Sequence, residues 1–272
     1  MFRKLFKYEW TAMMRSLFPV YGAVLAVTVL NALMFHVIVP EAGRTELLDS
    51  PFLELIPWFT GALYAAVLAA LGVMTVLPVI QRFYKGLLKE EGYLMFTLPV
   101  SVSQHILSKA VMALVMGVLS FVAALVSIDL LSHGMSVGQG FVSLLRNLSA
   151  YPSDIPFMLE GILWFVLTAL ACVLFIYLCI ALGHLAKKHR LLMAFVWYFV
   201  LSTAVQVIGL FVMMASAEKT VAASHAVLVF LNGMGAAGVH VIMLTLCLVS
   251  AAAGAVCFAG TRYILVHKLN LE

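Results

Sequence analysis

Six long runs of apolar residues constrain the fold of this chain more than any other feature of its sequence. A helix needs about 20 apolar residues to cross roughly 30 Å of hydrocarbon, because in lipid its backbone N–H and C=O groups must pair within the helix itself. Only 10% of the 272 residues are charged, too few to cover a soluble globule. We therefore predict an all-α integral membrane protein with six transmembrane helices. The predicted spans are 17–39, 57–80, 110–131, 158–184, 191–215 and 239–263.

Basic residues predict which ends of these spans face the cytoplasm, because Lys and Arg near helix ends are retained on that side. Thirteen of the sixteen lie before the first span, between spans two and three, between spans four and five, or at and after the end of span six. The other three, Arg44, Arg146 and Lys219, lie in connections that we expect outside. Both termini are therefore predicted to be cytoplasmic, in a multi-pass protein of the cell (cytoplasmic) membrane.

The same bias accounts for the net charge of +4, so no nucleic-acid partner is expected. The eight histidines show no ligand spacing on one helix face, so no metal site is predicted either. The four cysteines fall inside spans, where we expect free thiols that pack as small apolar groups. They are Cys172, Cys179, Cys247 and Cys257.

The residues before the first span predict a helix of their own. Residues 1–16 place apolar side chains on one helix face and cations on the other, which predicts an interfacial helix that turns into the first span at Phe18 and Pro19. An ordinary basic leader that only sets orientation is the alternative.

The 42 residues 220–261 contain no Asp, Glu, Lys or Arg and are too long for one span. We predict a re-entrant outer hairpin over 221–238 before the last span.

The connection between spans two and three has more structure than a tether needs. Residues 82–91 are predicted to form a short cytoplasmic helix that Gly92 ends. Pro99 then prevents the preceding residue from continuing a helix. Ser101 and Gln104 form the Ser-x-x-Gln pattern of a capping box, which predicts that the third helix begins there.

No sequence motif predicts an enzyme. The chain has no phosphate-binding glycine loop, no His-Glu-x-x-His and no nucleophile elbow. The adjacent Glu90 and Glu91 resemble the glutamate pair of membrane prenyl-protein proteases, but Met95 occupies the position of the required arginine. Asp129 is identified as the one acidic residue near a span interior. Two interpretations are open: the carboxylate takes part in a transport pathway, or it extends to the outer interface and has no such role.

The sequence "FYKGLLKEEGYLMFTLPVSVSQHILSKAV" resembles the connection between spans two and three of small six-span bacterial ABC-2-type ABC transporter permeases. The start "LFKYEWTAMMRSLFPVYGAVL" is similar to the interfacial elbow helix of that family, and the ending "YILVHKLNLE" is similar to endings in the same group. The resemblance covers the whole chain, but its specific part is residues 83–109.

The resemblance implies that 82–91 is a coupling helix that docks on a separate ATPase subunit. Its implied partners are two ATPase copies, which bind ATP and Mg²⁺, and a second permease that is a copy or a paralogue; this chain would hold no cofactor. The acidic residues would pair with basic residues of the ATPase, the apolar ones would fill its groove, and the stiff link would move the third span. The implied coupling residues are Phe83, Lys85, Leu87, Leu88, Glu90, Glu91, Gly92, Thr97, Pro99 and Ser101.

The family likeness further implies a substrate pathway between two permeases, lined by spans one, two and five. An aromatic wall there suits an amphipathic or hydrophobic substrate such as an antimicrobial peptide, a lipid or a drug. An ion-gradient-driven transporter and a non-transporting immunity or scaffold protein are the alternatives. The pathway candidates are Phe35, Trp58, Phe59, Asp129, Phe195, Tyr198 and Phe211.

Overall fold

The computed structural model of the chain describes residues 2–38, 51–88, 101–131, 138–140, 142–143, 146, 155–186, 189–215, 233 and 235–268. Almost all of these residues are helical, and none is in a strand. The six long helices are α1 (Phe2–Ile38), α2 (Pro51–Leu88), α3 (Val102–Leu131), α4 (Ile155–His184), α5 (Arg190–Ala215) and α6 (Ala236–His267). Each contains a stretch long and apolar enough to cross a membrane. The prediction of an all-α fold with six candidate spans is therefore confirmed.

Two helices run through positions where the sequence predicts a boundary. α1 is continuous from Phe2 to Ile38 with Pro19 inside it, so residues 2–16 are its first turns instead of a separate helix. Leu17 and Val24, on either side of that proline, are buried, and their packing offsets the hydrogen bond that proline removes. α2 likewise continues to Leu88, so 82–88 of the predicted coupling helix are the last turns of the second span helix.

The predicted hairpin over 221–238 falls largely outside the described residues. Its last part is described: Gly235 has a positive φ of 59° and directly precedes α6. Residues other than glycine rarely adopt this conformation, so the backbone just before the last helix favours glycine at this position. α6 begins at Ala236, slightly earlier than the predicted span.

The helices form two compact units. Unit 1 comprises Met1–Gln81 and Val115–Tyr151, and unit 2 comprises Arg82–Leu114 and Pro152–Glu272. Unit 1 therefore contains α1, most of α2 and the second half of α3. Unit 2 contains the end of α2, the first half of α3 and the whole of α4, α5 and α6.

Two serines of α3, Ser120 and Ser127, each form hydrogen bonds to both α1 and α2 in unit 1. We call the two positions along α3 the first and second levels. At the first level, Ser120 Oγ lies 2.9 Å from the Tyr21 hydroxyl of α1 and 2.8 Å from Thr75 Oγ1 of α2. Thr75 Oγ1 is the donor to Ser120, and it also lies 2.7 Å from the carbonyl oxygen of Leu71 in its own helix. Ser120 therefore accepts from Thr75, and its own hydrogen has the Tyr21 oxygen as an acceptor.

The second level, two turns further along α3, has the same three residue types with α1 and α2 exchanged. Ser127 Oγ lies 2.7 Å from both the Tyr64 hydroxyl of α2 and Thr28 Oγ1 of α1. Thr28 donates to the carbonyl oxygen of Val24 at 2.7 Å, so donation runs from Tyr64 to Ser127 to Thr28. Buried hydroxyl chains of this kind hold membrane helices in register, because an unpaired polar group in apolar surroundings is costly.

Replacing Ser127 with alanine is expected to lower the free energy of unfolding in detergent by about 1 kcal/mol, because Tyr64 loses its acceptor inside the protein. The triple variant Thr28→Val, Tyr64→Phe, Ser127→Ala is expected to lose less than Ser127→Ala alone, since it leaves no polar group unpaired at this level. Denaturant titration in mixed micelles measures both.

The matched control is Thr245→Val, which removes an exposed hydroxyl whose hydrogen bond goes to Val241 of its own helix. Its free energy of unfolding is expected to stay unchanged. A Ser127→Ala variant as stable as the parent chain, or a triple variant less stable than Ser127→Ala, would contradict the proposed hydrogen-bond chain.

In unit 2, α4 packs along α6 and against α5. Thr168 Oγ1 of α4 lies 3.0 Å from Ser250 Oγ of α6, and one turn further along both helices a methyl group on Gly254 would contact Ala171 Cβ at 3.5 Å. Contacts that advance together along both helices mean that α4 and α6 are parallel, as the alternation of spans predicts. α5 is antiparallel to α4, because a short turn connects them.

Candidate functional site

The start of α3 has the capping box that its sequence predicts. The backbone N–H of Gln104 donates to Ser101 Oγ at 3.4 Å, and the backbone N–H of Ser101 donates to Gln104 Oε1 at 3.3 Å. The two side chains therefore satisfy amides that the first helical turn leaves without partners. The predicted helix start is confirmed, and it marks the residue at which the connection from α2 enters α3.

The described residues include part of the predicted coupling strip. Phe83, Lys85 and Ser101 are described with their side chains, whereas the side chains of Leu87 and Leu88 are outside the described set. The remaining predicted coupling residues lie wholly outside it, and their roles stay predictions. They are Glu90, Glu91, Gly92, Thr97 and Pro99.

Phe83 does not have the place that the resemblance implies. Its ring stacks on Tyr177 of α4, with centroids 4.0 Å apart and an interplanar angle of 11°. Phe83 is 0% exposed and Tyr177 is 1% exposed, so no ring surface remains for the groove of a partner. The prediction that Phe83 fills a groove on the ATPase is therefore wrong. The reason is that α2 does not end at 81: Val79, Phe83 and Gly86 are all buried, at the spacing of one continuous helix face.

Tyr84, the residue after Phe83, contacts the end of α4, which in turn contacts the start of α5. The Tyr84 ring meets the His184 imidazole edge-on, with centroids 6.1 Å apart. His184 Nε2 lies 3.3 Å from Arg190 Nη1, at the first residue of α5. Arginine can only donate, so His184 accepts this hydrogen bond. Lys85 is exposed, which leaves it available to a partner as the coupling hypothesis requires.

A carboxylate and an imidazole meet at the other end of unit 2, where α4 and α6 begin. His240 Nδ1 lies 2.9 Å from Glu160 Oε2 and 3.0 Å from Oε1, and the two side chains are 33% and 19% exposed. Two turns further along α6, Cys247 Sγ lies 3.8 Å from the carbonyl oxygen of Glu160. This hydrogen-bonded contact joins two candidate membrane helices in a partly shielded position.

Sequence reasoning missed this pair. Glu160 also lies inside a predicted span, so the statement that Asp129 is the one acidic residue near a span interior is wrong. The signal that could have found it is the presence of a carboxylate within the run 158–184, because an ionisable residue in a span calls for a partner. Its partner His240 is far away in the sequence, and only the parallel packing of α4 and α6 brings the two together.

Asp129 has a structural contact in unit 1. Its Oδ1 accepts a hydrogen bond from the backbone N–H of Gly138 at 2.8 Å, and residues 138–140 are helical. The carboxylate therefore accepts a hydrogen bond from a backbone amide in a helical stretch that follows α3 in the sequence. A role for Asp129 in a transport pathway stays a prediction.

The predicted pathway aromatics lie on the surfaces of their units. In unit 1, Trp58 of α2 is 80% exposed and Phe59 beside it is also exposed. In unit 2, Phe211 of α5 is 68% exposed, and Phe195 and Tyr198 are exposed as well, although Tyr198 contacts Phe175 edge-on at 5.7 Å. The side chain of Phe35 lies outside the described residues. Apolar rings with this exposure face lipid or another protein chain.

The four cysteines are free thiols. Within the part of the chain that the structure describes, no group of three His, Cys, Asp or Glu side chains is arranged to hold a metal ion.

The six apolar helices define the class of this protein: it is a multi-pass α-helical membrane protein. Comparison of the chain with protein-family models, curated protein sequences and solved structures gives no match. Membership of the ABC-2-type permeases therefore stays a prediction, based chiefly on residues 83–109.

Proposed function

We propose that the chain is the permease subunit of an ATP-driven ABC exporter in a bacterial cell membrane. It pairs with a second permease, which is a copy or a paralogue, and with two separate ATPase subunits that bind ATP and Mg²⁺ and perform the hydrolysis. The observation that carries the proposal is the connection from α2 to α3. Helix α2 continues past its apolar span through Lys85, and α3 restarts at a capped residue, Ser101.

In this proposal Glu90 and Glu91 contact basic residues of the ATPase, and α2 and α3 receive the movement. The contacts of Phe83 suggest how the movement of α2 reaches another helix of the permease. Because its ring is stacked on Tyr177, a displacement of the end of α2 would be passed directly to α4. Phe83 would then transmit force within the permease instead of docking on its partner.

The exposed aromatic side chains of α2 and α5 support an amphipathic or hydrophobic substrate. Between Phe199 and Phe211 every side chain of α5 is exposed or half-buried, so this helix offers a long apolar surface to lipid or to a second permease. An antimicrobial peptide, a lipid or a hydrophobic drug fits such a surface better than an ion does.

Charge reversal in the connection tests the proposal. The variant Glu90→Lys, Glu91→Lys is expected to weaken co-purification of the ATPase at least about ten-fold and to abolish stimulation of its ATP hydrolysis, because attraction to basic residues becomes repulsion. The measurement is ATPase activity in proteoliposomes that contain both subunits. The matched control is Glu41→Lys, Glu46→Lys, which makes the same charge change in a connection predicted to lie outside.

The control variant is expected to bind and stimulate the ATPase normally. If the Glu90 and Glu91 variant does so as well, the docking proposal fails. Equal loss in both variants would also count against it, because the effect would then come from total charge.

The contact between Glu160 and His240 favours a second candidate, a transporter driven by a proton gradient. Ionisable pairs between membrane helices are typical of proton relays. The same proteoliposomes separate the two functions: transport driven by a pH gradient without the ATPase, and lost in Glu160→Gln, would favour the second candidate. Transport that requires the ATPase would favour the first.

A further inference from the structure

The end of unit 2 at which α4 and α6 finish carries positive charge without a described negative partner. Four exposed cations lie there, and none forms an ion pair with another described residue: Lys85 of α2, Arg190 of α5, and Arg262 and Lys268 at the end of α6. The described part of unit 2 contains one acidic residue, Glu160, which lies at the opposite end and pairs with His240. Among the described residues, this end of unit 2 therefore carries a net positive charge.

Arg190 is held in place by its neighbours. Its guanidinium lies 3.3 Å from His184 Nε2, and the His184 ring is itself packed edge-on against Tyr84. Lys85 follows Tyr84 in the last turn of α2 and is exposed. A guanidinium and an imidazole thus lie within hydrogen-bond distance of each other where α4 and α5 meet, and an exposed ammonium group belongs to the residue after Tyr84.

The length of α4 agrees with a position of this region in the headgroup layer. Its 30 residues measure about 45 Å, whereas the hydrocarbon of a bilayer is roughly 30 Å thick. A helix of this length that crosses a bilayer along its normal extends beyond the hydrocarbon, to the depth of lipid phosphate groups. A planar guanidinium can bind a phosphate through two parallel hydrogen bonds, which an ammonium group cannot do.

We propose that Arg190, supported by His184 and assisted by Lys85, binds the phosphate of an acidic phospholipid headgroup. This site is distinct from the general role of basic residues in orienting the chain. Orientation depends on the number of positive charges near a span end and any of them serves, whereas a binding site depends on particular positions. The proposal does not require the exporter function.

The test uses the purified full chain in micelles of a neutral detergent. Phosphatidylglycerol is titrated in, with phosphatidylcholine and inorganic phosphate as separate arms, and bound lipid is counted by native mass spectrometry. Arg190→Gln and Lys85→Gln are each expected to lower the affinity for phosphatidylglycerol about five-fold. Arg190→Lys keeps the charge but loses the planar fork, and we expect it to fall between Arg190→Gln and the parent chain.

Arg262→Gln and Lys268→Gln are the matched controls, because they remove the same charge from the same end of unit 2. Their affinities are expected to change less than two-fold. The thermal transition of each variant without lipid establishes that it is folded.

Three results would overturn the proposal. An equal loss in all four glutamine variants would indicate diffuse attraction instead of a site. Equal affinity for phosphatidylglycerol and phosphatidylcholine would show that the headgroup charge is not recognised. Occupancy by inorganic phosphate at the concentration that suffices for phosphatidylglycerol would assign the site to free phosphate and not to a lipid.

Discussion

Replacing Phe83 with alanine is expected to lower the free energy of unfolding of the isolated chain by an amount on the order of 3 kcal/mol. The substitution removes a ring that is 0% exposed and stacked on Tyr177, and the space it leaves is enclosed by α2 and α4. Lost ring contact and an unfilled cavity both contribute to the cost. Denaturant titration in mixed micelles, with no ATPase present, measures this effect.

The neighbouring variant Lys85→Ala is the control, because that side chain is exposed. Its free energy of unfolding is expected to change by less than about 0.5 kcal/mol. The comparison separates two roles for Phe83. If Phe83→Ala leaves the isolated chain as stable as before but abolishes binding of an ATPase, the ring has a docking role and the packing described here is wrong.

Replacing Gly183 with alanine is expected to have the second large effect. A methyl group at this position would lie 2.5 Å from Cα and 2.7 Å from Cβ of Ala194, and a backbone atom of α5 can move away only if the helix moves with it. We expect a loss of about 1 to 3 kcal/mol from this overpacking, even though alanine favours a helix over glycine by about 1 kcal/mol. Thermal unfolding and denaturant titration of the purified chain test the expectation.

Gly161 is the control on the same helix, because a methyl group there would have no neighbour within 4 Å. Gly161→Ala is expected to be neutral or to stabilise the protein by up to about 1 kcal/mol, through helix propensity alone. If both alanine variants are equally stable, the close approach of α4 and α5 at Gly183 is contradicted.

Much of the fold could be predicted from local patterns. Six runs of apolar residues sufficed for six candidate spans, since the requirement to pair backbone groups in lipid acts on each run separately. The capping box at Ser101 and Gln104 was predictable for a similar reason, because its two hydrogen bonds join residues three positions apart. In both cases the atoms that interact are close together in the sequence.

The ends of helices were less predictable. The sequence predicts a separate helix over 82–91, whereas α2 continues through that region to Leu88. Charged residues such as Lys85 suggest an end to an apolar span, but they do not end a helix. A span is bounded by the polarity of its residues, whereas a helix is bounded by backbone hydrogen bonds.

Sequence alone therefore determined that this chain forms six helices long and apolar enough to cross a membrane, and that α3 is capped at Ser101. Only the tertiary structure decided that Phe83 faces Tyr177 and that Glu160 meets His240. It also decided that one serine of α3 joins three helices at each of two levels. The reason is that the rotation of each helix, and the choice of its neighbours, depend on packing among distant segments. A long apolar helix is stable in lipid at almost any rotation about its axis. Its sequence therefore gives little information about which face packs against the rest of the protein.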